Sequence, residues 1–305
     1  MFRRAALVFA CLAAACGSAG SDDAALDDAS GEDALIGGAP ATLAQFPATL
    51  YLKKGCTAAK VAEKKLLTAA HCVIDGSTLD AKYGPGKPVE LTREPAKGFT
   101  THAVAKLHVH PAWVPACESA YCASSSVTAT LDAADVAVIE LAEDLQGVPS
   151  APIDTAPLAT REKVTVLGFG CTEGVLAQDA RPEVTLKFAE TTILAASRAV
   201  HEGSPVEPTQ LGQVSGIYAM TPGPARVKGA GGLCPGDSGG PLYKKRGDAL
   251  VVVGVNANYT LRPGEKDLAG IPVTNWHTRL DDRSRLGVAT WLASIGAARA
   301  PTTTK

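Results

Sequence analysis

Short apolar segments separated by turn-forming residues are the feature that most restricts how this 305-residue chain can fold. The chain holds 30 glycines and 20 prolines, a content that favours many tight turns over a bundle of long helices. Segments rich in β-branched and aliphatic residues recur between these turns and predict the strands of an antiparallel barrel or sandwich. They lie at residues 49–52, 65–68, 104–109, 136–141, 163–168, 184–194, 250–255 and 271–274.

One segment near the end of the chain has the period of a helix instead. Between residues 287 and 298, Val288, Trp291, Leu292 and Ile295 are spaced so that they share one face of an α-helix. The sequence therefore predicts an all-β fold that ends with a C-terminal helix.

The first residues have the composition of an export signal. Arg3 and Arg4 precede an apolar stretch over residues 5–15, which is too short for a membrane-spanning helix. We therefore expect residues 1–15 to be a signal peptide and the mature protein to be exported. The small residues before Cys16 resemble the lipobox of bacterial lipoproteins, in which the cysteine is acylated and becomes the new N-terminus. Cys16 is thus a candidate lipid anchor in the cell envelope, and ordinary cleavage to a secreted protein is the alternative.

Residues 16–34 form an acidic segment without Lys or Arg. The segment cannot bury enough surface to order itself, so we expect a solvated tether or a propeptide. It lacks the alternating Asp and the Gly of an EF-hand loop, which argues against a calcium site. The remaining residues, 35–305, carry 27 Lys and Arg against 25 Asp and Glu. This balance provides no basic field for nucleic acid, and no interior apolar run is long enough to span a membrane.

The segment from Cys234 to Pro241 is the most specific motif of the sequence. It reads Cys-Pro-Gly-Asp-Ser-Gly-Gly-Pro, so that glycines flank Ser238. Glycines allow a tight turn that exposes the serine hydroxyl, with backbone N–H groups pointing the same way. That arrangement is what the stabilisation of an oxyanion requires.

His71 and Asp135 are the residues that could activate such a serine. His71 ends an apolar run and is a candidate general base, because the pKa of a histidine lies close to neutral pH. Asp135 stands at the head of an apolar strand, where a carboxylate needs a partner. Separately, the motifs are explained as a core histidine, a strand-initiating aspartate and a Gly-rich turn. Together they indicate catalysis by a nucleophilic serine.

A lipase or esterase is one alternative for this motif. Gly236, Ser238 and Gly240 also fit the nucleophile elbow of α/β-hydrolases, in which the order of the triad is Ser, Asp, His. A single histidine, His277, follows Ser238, and the chain lacks a regular alternation of strands and helices. Both facts disfavour the α/β-hydrolase fold.

Over residues 35–298 the chain resembles the trypsin-like serine endopeptidases of the chymotrypsin family, with His71, Asp135 and Ser238 in the order of that family. The resemblance implies two six-stranded antiparallel β-barrels in a protease domain over residues 35–305, with the junction near residues 145–160. It also implies a monomer that needs no cofactor. Further matches are Leu35-Ile36-Gly37-Gly38, His110-Pro111, Gly168-Phe169-Gly170, Thr278-Arg279-Leu280 and the helix around Trp291.

The resemblance assigns a role to each candidate residue. His71 acts as general base and then as general acid, Asp135 holds its imidazole in the useful tautomer, and Ser238 attacks the scissile carbonyl. The N–H groups of Gly236 and Ser238 form the oxyanion hole. The implied activity is that of a serine-type endopeptidase, which cleaves a protein or peptide substrate through an acyl-enzyme.

Activation by proteolysis is also implied. Cleavage between Ala34 and Leu35 would free the α-amino group of Leu35, which pairs in this family with the residue at Asp237. Because Ala34 rather than Arg precedes the cut, the activating protease must accept small residues.

The resemblance places Gly232 at the base of the S1 pocket, where an Asp would select Arg or Lys. Tyr259 and Asn275 stand at its walls. We therefore expect a narrow pocket and cleavage after Ala, Val or similar small residues, which would let the enzyme cut its own bond at Ala34.

The cysteines are consistent with an exported, oxidised protein. The expected disulfide Cys56–Cys72 has the cysteine spacing of the family, whereas the expected disulfide Cys171–Cys234 departs from the family's commonest cysteine pairing. Because Cys11 would leave with the signal, Cys16 remains unpaired, as an acylated thiol would explain. The expected disulfides are Cys56–Cys72, Cys117–Cys122 and Cys171–Cys234.

The chain departs from the family at residues 254–259, where Gly-Val-Asn-Ala-Asn-Tyr replaces the usual Ser-Trp-Gly strand. Because this strand pairs with the substrate backbone in the family, a catalytically weak homologue that acts as a protein-binding module is the alternative function. His102, His108 and His110 lie near one strand, but no matching carboxylate or cysteine is evident. We expect them to have packing or surface roles and expect no metal site.

Overall fold

The computed structural model describes residues 35–120, 133–171, 185–195, 214–261 and 270–299, where the elements include fourteen strands, three α-helices and one 3-10 turn. The strands are β1 (Ala39–Pro40), β2 (Thr49–Leu52), β3 (Cys56–Ala62), β4 (Lys65–Thr68), β5 (Val89–Thr92), β6 (Thr100–His102), β7 (Val104–Val109), β8 (Ala137–Leu141), β9 (Lys163–Gly168), β10 (Lys187–Thr192), β11 (Tyr218–Pro222), β12 (Pro241–Arg246), β13 (Ala249–Leu261) and β14 (Pro272–Arg279). The helices are α1 (Ala70–Val73), α2 (Trp113–Ala120) and α3 (Val288–Ser294), and the 3-10 turn is Pro95–Lys97.

These strands form two antiparallel sheets, each curled toward a barrel. The first sheet has the order β6-β5-β2-β3-β4-β8-β7, and the second has the order β1-β10-β9-β12-β13-β14-β11. The predicted all-β, two-barrel fold with a C-terminal helix is thereby confirmed. Each sheet has seven strands rather than the expected six, because the short edge strands β1 and β6 add to them. The two-residue β1 pairs only with β10.

The strands that the sequence predicts are those rich in aliphatic and β-branched residues. The predictions at 49–52, 65–68, 104–109 and 163–168 coincide with β2, β4, β7 and β9. The strands β13 and β14 extend well beyond the predicted 250–255 and 271–274, since cross-strand pairing carries them past their aliphatic part. Six strands were not predicted, and neither were α1 and α2; the strands are β1, β3, β5, β6, β11 and β12.

The C-terminal helix is shorter than predicted. It begins at Val288, after Gly287, whose φ of 68° lies in the left-handed region that favours glycine. Val288 and Leu292 belong to the main apolar core, and Trp291 and Ile295 pack against it. The packed face of α3 therefore follows the predicted 3.6-residue period.

Residues 142–162 connect the two sheets and include the predicted junction. A buried lysine of β3 anchors this connection: Lys60 Nζ pairs with the carboxylate of Asp144 at 2.7 Å and donates to the carbonyls of Leu145 and Val148. The ion pair and the two carbonyls compensate for burying the ammonium group. In the described part of the chain, no helix combines the length and apolar character needed to cross a membrane. The expected signal peptide, the tether and Cys16 lie outside the described residues.

Candidate active site

His71 and Asp135 meet at the end of two paired strands. In the first barrel, Thr68 of β4 is opposite Ala137 of β8, so the residues after β4 and before β8 lie side by side. Ala69 has an extended backbone, after which α1 begins and carries His71. The Nδ1 atom of His71 lies 2.6 Å from Oδ2 of Asp135, and the His71 backbone N–H donates to Oδ1 at 3.0 Å.

The electrostatic surroundings favour the protonated form of the His71 ring. Burial lowers the pKa of His71, but the charge of Asp135 and its hydrogen bond outweigh that effect, so the pKa is raised above 6.5. The ammonium group of Lys82, which donates to the His71 carbonyl at 3.1 Å, acts in the opposite direction. His71 is thus a base whose conjugate acid is stabilised by a buried carboxylate.

The turn that carries Ser238 packs against the first barrel. Gly239 has a φ of 79°, and a Cβ atom there would collide with Thr68 and with the Thr57 carbonyl. The Thr57 N–H donates to the Ser238 carbonyl at 2.8 Å, and the sulfur of Cys72 lies 3.6 Å from the same oxygen. Ser238 is therefore adjacent to the helical turn that carries His71, and it is partly exposed.

The Ser238 hydroxyl makes no hydrogen bond to any described residue, so the structure brings Ser238 beside His71 without closing that contact. Hydrogen bonds of this type commonly tighten when a substrate binds. The N–H groups of Gly236 and Ser238 likewise donate to no described residue. The Gly236 carbonyl is held by the Thr57 hydroxyl at 2.8 Å, which fixes the turn and leaves these two N–H groups available.

Asp237, next to the serine, is completely buried. Its Oδ1 accepts from the Gly170 N–H at 2.7 Å and its Oδ2 from the Cys234 N–H at 2.9 Å. Burial raises the pKa of Asp237 to about 7, although both N–H groups lower it. Within the described ranges no cation lies at ion-pair distance from this carboxylate. The free-energy cost of burying its charge is therefore offset only by the two N–H groups.

Leu35, the residue expected to supply an amine, is fully buried in the second barrel. Its φ of 55° is in the left-handed region, where a leucine is strained. The next residue, Ile36, forms a bridge with Gly232, whose N–H donates to the Ile36 carbonyl at 2.7 Å. The start of the described chain is therefore docked beside the segment that leads to Ser238.

The three expected S1 residues lie together. Tyr259 and Asn275 are cross-strand partners on β13 and β14, so their side chains project from the same face of the sheet. The Asn275 amide accepts from the Leu233 N–H at 2.8 Å and donates to the Gly231 carbonyl at 2.7 Å, on either side of Gly232. A Cβ atom at Gly232 would lie 2.8 Å from a side-chain carbon of Pro224. These contacts leave little space around Gly232.

Sequence reasoning missed two residues that hold the site together. Thr57 contacts the turn of Ser238 through both its backbone and its side chain, and the Thr278 hydroxyl of β14 donates to the Asp135 carbonyl at 2.9 Å. Both link residues that are more than a hundred positions apart in sequence. Thr57 follows the half-cystine Cys56 directly, and Thr278 begins the family match Thr278-Arg279-Leu280, but neither signal indicates a contact with the site.

His277, which the α/β-hydrolase alternative would need, lies elsewhere. Its ring is fully buried between Asn256, at 2.9 Å from Nδ1, and Thr221, at 3.0 Å from Nε2. Burial lowers the pKa of His277 to about 3. Together with the antiparallel sheets, this position excludes the α/β-hydrolase fold.

The histidines near β7 do not converge on one point. His102 contacts Thr100, His108 contacts Glu140, and His110 packs edge-on against Trp291. A carboxylate does lie beside His108, at 2.8 Å, contrary to the sequence-based expectation, and Lys65 shares it. Among the described residues, the cluster with metal-ligand spacing is formed by Cys56, His71 and Cys72, and its two sulfurs belong to a disulfide.

Two of the expected disulfides are formed in the described residues. Cys56 joins Cys72 directly after His71, and Cys171 joins Cys234 directly beside Asp237. The expected partner of Cys117, Cys122, lies outside the described residues. Disulfides of this kind are typical of exported proteins.

The fold is that of the two-barrel serine proteases, and comparison with known proteins agrees. The model of the family described as Trypsin matches residues 35–275. A relative named "Trypsin-like protease", from Streptomyces glaucescens, is 27% identical over 220 residues, which cover 69% of this chain and 67% of that protein. The chain belongs to the Trypsin family.

Proposed function

We propose that this protein is a serine endopeptidase in which Ser238, His71 and Asp135 form the catalytic triad. The observation that carries the proposal is the close pairing of His71 with a buried Asp135 beside the glycine-flanked turn of Ser238. The pairing holds Nδ1 of the imidazole and leaves Nε2 to exchange a proton with the serine. Family membership supports the same general activity.

In the proposed reaction, Ser238 Oγ attacks the carbonyl carbon of the scissile bond while His71 Nε2 takes the hydroxyl proton. The resulting oxyanion accepts hydrogen bonds from the Gly236 and Ser238 N–H groups. Collapse breaks the C–N bond, and His71 gives its proton to the leaving amine. Water then attacks the acyl-enzyme, His71 again moves the proton, and the acid product leaves with Ser238 restored.

The substrate side chain that this site accepts before the cut is proposed to be small or apolar. Gly232 offers no carboxylate to a basic side chain. Tyr259 and Asn275 narrow the space from the same face of the sheet, and Asn275 is held by hydrogen bonds on both sides of Gly232. Ala and Val therefore fit better than Phe, Lys or Arg.

Activation is proposed to follow cleavage before Leu35. The freed α-amino group would supply the cation that the buried Asp237 carboxylate lacks. The cut would also remove the preceding carbonyl, whose contacts make a positive φ unfavourable for Leu35. A protease that accepts the small residue Ala34, including this enzyme itself, would make the cut.

Export and attachment complete the proposal. Residues 1–15 would direct export, and Cys16 would carry a lipid that holds the uncleaved protein on the acidic tether 16–34 until the cut before Leu35 releases the catalytic domain. Intact-mass and N-terminal analysis of native protein tests this. An uncleaved protein that begins at an acylated Cys16 supports the anchor, and an uncleaved protein that begins at an unmodified residue before Leu35 contradicts it.

A catalytically weak, protein-binding homologue is the second candidate function, and one contact favours it. The Asn258 side chain accepts the N–H of Tyr259 at 2.8 Å, next to a bulge in β13. A backbone donor at the expected substrate-binding strand is thereby used within the chain, which weakens pairing with an extended peptide.

Turnover of chromogenic peptides that end in Ala, Val, Phe or Arg tests the proposal. We expect protein that starts at Leu35 to cleave the Ala and Val peptides best, Ser238→Ala to be inactive, and the exposed-serine control Ser150→Ala to match the wild type. A dominant Arg signal would contradict the proposed specificity. No turnover of any peptide would contradict the peptidase and favour the binding protein.

A further inference from the structure

The disulfide between Cys171 and Cys234 lies directly beside the turn that carries Ser238. Cys171 lies three residues after the end of β9, and Cys234 lies four residues before Ser238. Both half-cystines are almost fully buried, with exposed fractions of 1% and 2%. The bond ties together two segments that are 63 residues apart in sequence.

Each of the two tied segments donates one N–H to the carboxylate of Asp237. The Gly170 N–H, from the residue before Cys171, reaches Oδ1 at 2.7 Å, and the Cys234 N–H reaches Oδ2 at 2.9 Å. The disulfide thus joins the donor of one carboxylate oxygen to the donor of the other. Asp237 is the residue directly before Ser238 in the chain.

The chain at the end of β9 and directly after it contacts the Asp237 carboxylate through the backbone of glycines, with no side chain in between. A Cβ atom at Gly168 or at Gly170 would collide with Asp237. The Gly170 donor is therefore a main-chain group whose position depends on how the loop itself is held. The covalent bond at Cys171 is one residue away and provides that restraint.

The start of the described chain packs on the same disulfide. Ile36 forms a small apolar cluster with Cys171 and Cys234, and its carbonyl accepts the Gly232 N–H. The bond therefore contacts both the carboxylate's donors and the segment next to Leu35.

We propose that the Cys171–Cys234 disulfide is a positioning element for catalysis, which keeps the Gly170 and Cys234 amides on Asp237 and thereby fixes the Gly236–Ser238 turn. This inference rests on the proposed function of Ser238. Without the bond, the two loops can separate and leave a buried carboxylate with fewer donors, which is unfavourable. The turn would then relax, and its N–H groups would no longer converge on the oxyanion.

The variant Cys171→Ala/Cys234→Ala tests the proposal through kinetics. We expect kcat on an Ala peptide to fall about 10- to 100-fold, since oxyanion stabilisation is lost in part, while KM changes less than about 3-fold. A peptide aldehyde, which forms a tetrahedral adduct with the serine, should lose affinity to a similar extent as kcat. The matching peptide alcohol, which forms no adduct, should bind as before. Unchanged kcat and aldehyde affinity, or equal losses for aldehyde and alcohol, would overturn the proposal.

Hydrogen exchange provides a readout that does not depend on turnover. In the variant, the amides of Gly170 and Cys234 should exchange faster, while the first barrel keeps its protection. The comparator Cys56→Ala/Cys72→Ala, which lacks the other described disulfide, should leave those two amides protected. Loss of protection throughout both barrels would overturn a positioning role and indicate a general folding role.

Two further results keep this inference separate from the proposed function. If the alanine pair does not fold, Cys171→Val/Cys234→Ala, which fills the space of the sulfur atoms, replaces it, and failure of both to fold would overturn the proposal. If wild-type protein that starts at Leu35 neither cleaves peptides nor binds the aldehyde, the proposed function is wrong, and the positioning of Asp237 is decided by hydrogen exchange alone.

Discussion

The backbone N–H of Thr57, on a strand of the first barrel, donates to the carbonyl of Ser238, on a turn of the second barrel, at 2.8 Å. The Thr57 hydroxyl adds a second link by donating to the Gly236 carbonyl and accepting the Phe169 N–H. One residue thus fixes the Ser238 turn against the barrel that carries His71 and Asp135. The position of the serine is consequently a property of the interface between the barrels.

Replacing Thr57 by Val, which has the same shape, should therefore lower activity as well as stability. The change leaves a buried carbonyl and a buried N–H without partners, at a cost of about 1–3 kcal/mol in the free energy of unfolding. We expect kcat to fall roughly tenfold as the turn loosens. Urea unfolding and steady-state kinetics measure the two effects.

Thr49→Val is the matched control, because Thr49 is equally buried in the same barrel and its hydroxyl contacts Tyr243 instead. It should lose stability and keep kcat. Equal kcat values for the two variants would show that Thr57 does not position the nucleophile.

Replacing Asp135 by Asn should abolish most of the activity without unfolding the protein. The amide cannot hold the imidazole tautomer that accepts the serine proton, so kcat should drop by about 10⁴. Asp154→Asn, which removes an ion pair with Arg246 and not a contact with His71, should retain kcat. Comparable activity of Asp135→Asn and the wild type would contradict the assigned role.

Stability of the uncleaved protein should depend on pH through Asp237. Its folded pKa of about 7 exceeds the ordinary 3.8, so between these values the folded state holds a proton that the unfolded state has lost. Rising pH therefore favours unfolding across this window, by at most about 4 kcal/mol, and has no further effect above it. Below the ordinary value both states are protonated and the contribution is constant.

His277 acts in the opposite direction, because its folded pKa of about 3 makes stability rise with pH up to its ordinary value of 6.5. The measurement is thus the difference in unfolding free energy between Ser238→Ala and Ser238→Ala/Asp237→Asn, in which the His277 contribution cancels. That difference should decrease from pH 4 to pH 7. A constant difference would mean that Asp237 is ionised in the folded state throughout.

Tyr259→Gly should widen the specificity of the enzyme. Removing the ring opens space beside Gly232, and kcat/KM for a Phe peptide relative to an Ala peptide should rise about tenfold or more. Tyr259→Phe keeps the ring and should preserve the ratio. If Tyr259→Gly keeps the ratio too, the Tyr259 ring does not limit the pocket.

The residues that could be predicted from the sequence are those with a local pattern. Ser238 lies among glycines, His71 closely follows a buried strand, and β2, β4, β7 and β9 are rich in β-branched or aliphatic residues. By contrast, β3 is rich in alanine and contains Lys60, whose buried ammonium group is paired with residues of the later connection. The strand β12 begins with proline and ends with three basic residues. Their pairing is set by tertiary contacts that override local propensity.

The same reason explains which parts of the site escaped prediction. Thr57 and Gly236 are 179 residues apart, and Thr278 and Asp135 are 143 residues apart. Contacts at such separations arise when the two barrels pack together, and neither the half-cystine beside Thr57 nor the family match at Thr278 indicates them. The Cys171–Cys234 bond could be expected, but its contact with both donors of Asp237 could not.

Covalent labelling with a fluorophosphonate, followed by mass mapping of the adduct, tests the catalytic triad most directly. Protein that starts at Leu35 is predicted to gain one phosphonyl group on Ser238, to lose that reactivity in Ser238→Ala, and to react far more slowly in His71→Ala. An adduct on another residue, or no adduct on correctly processed protein, would contradict the account.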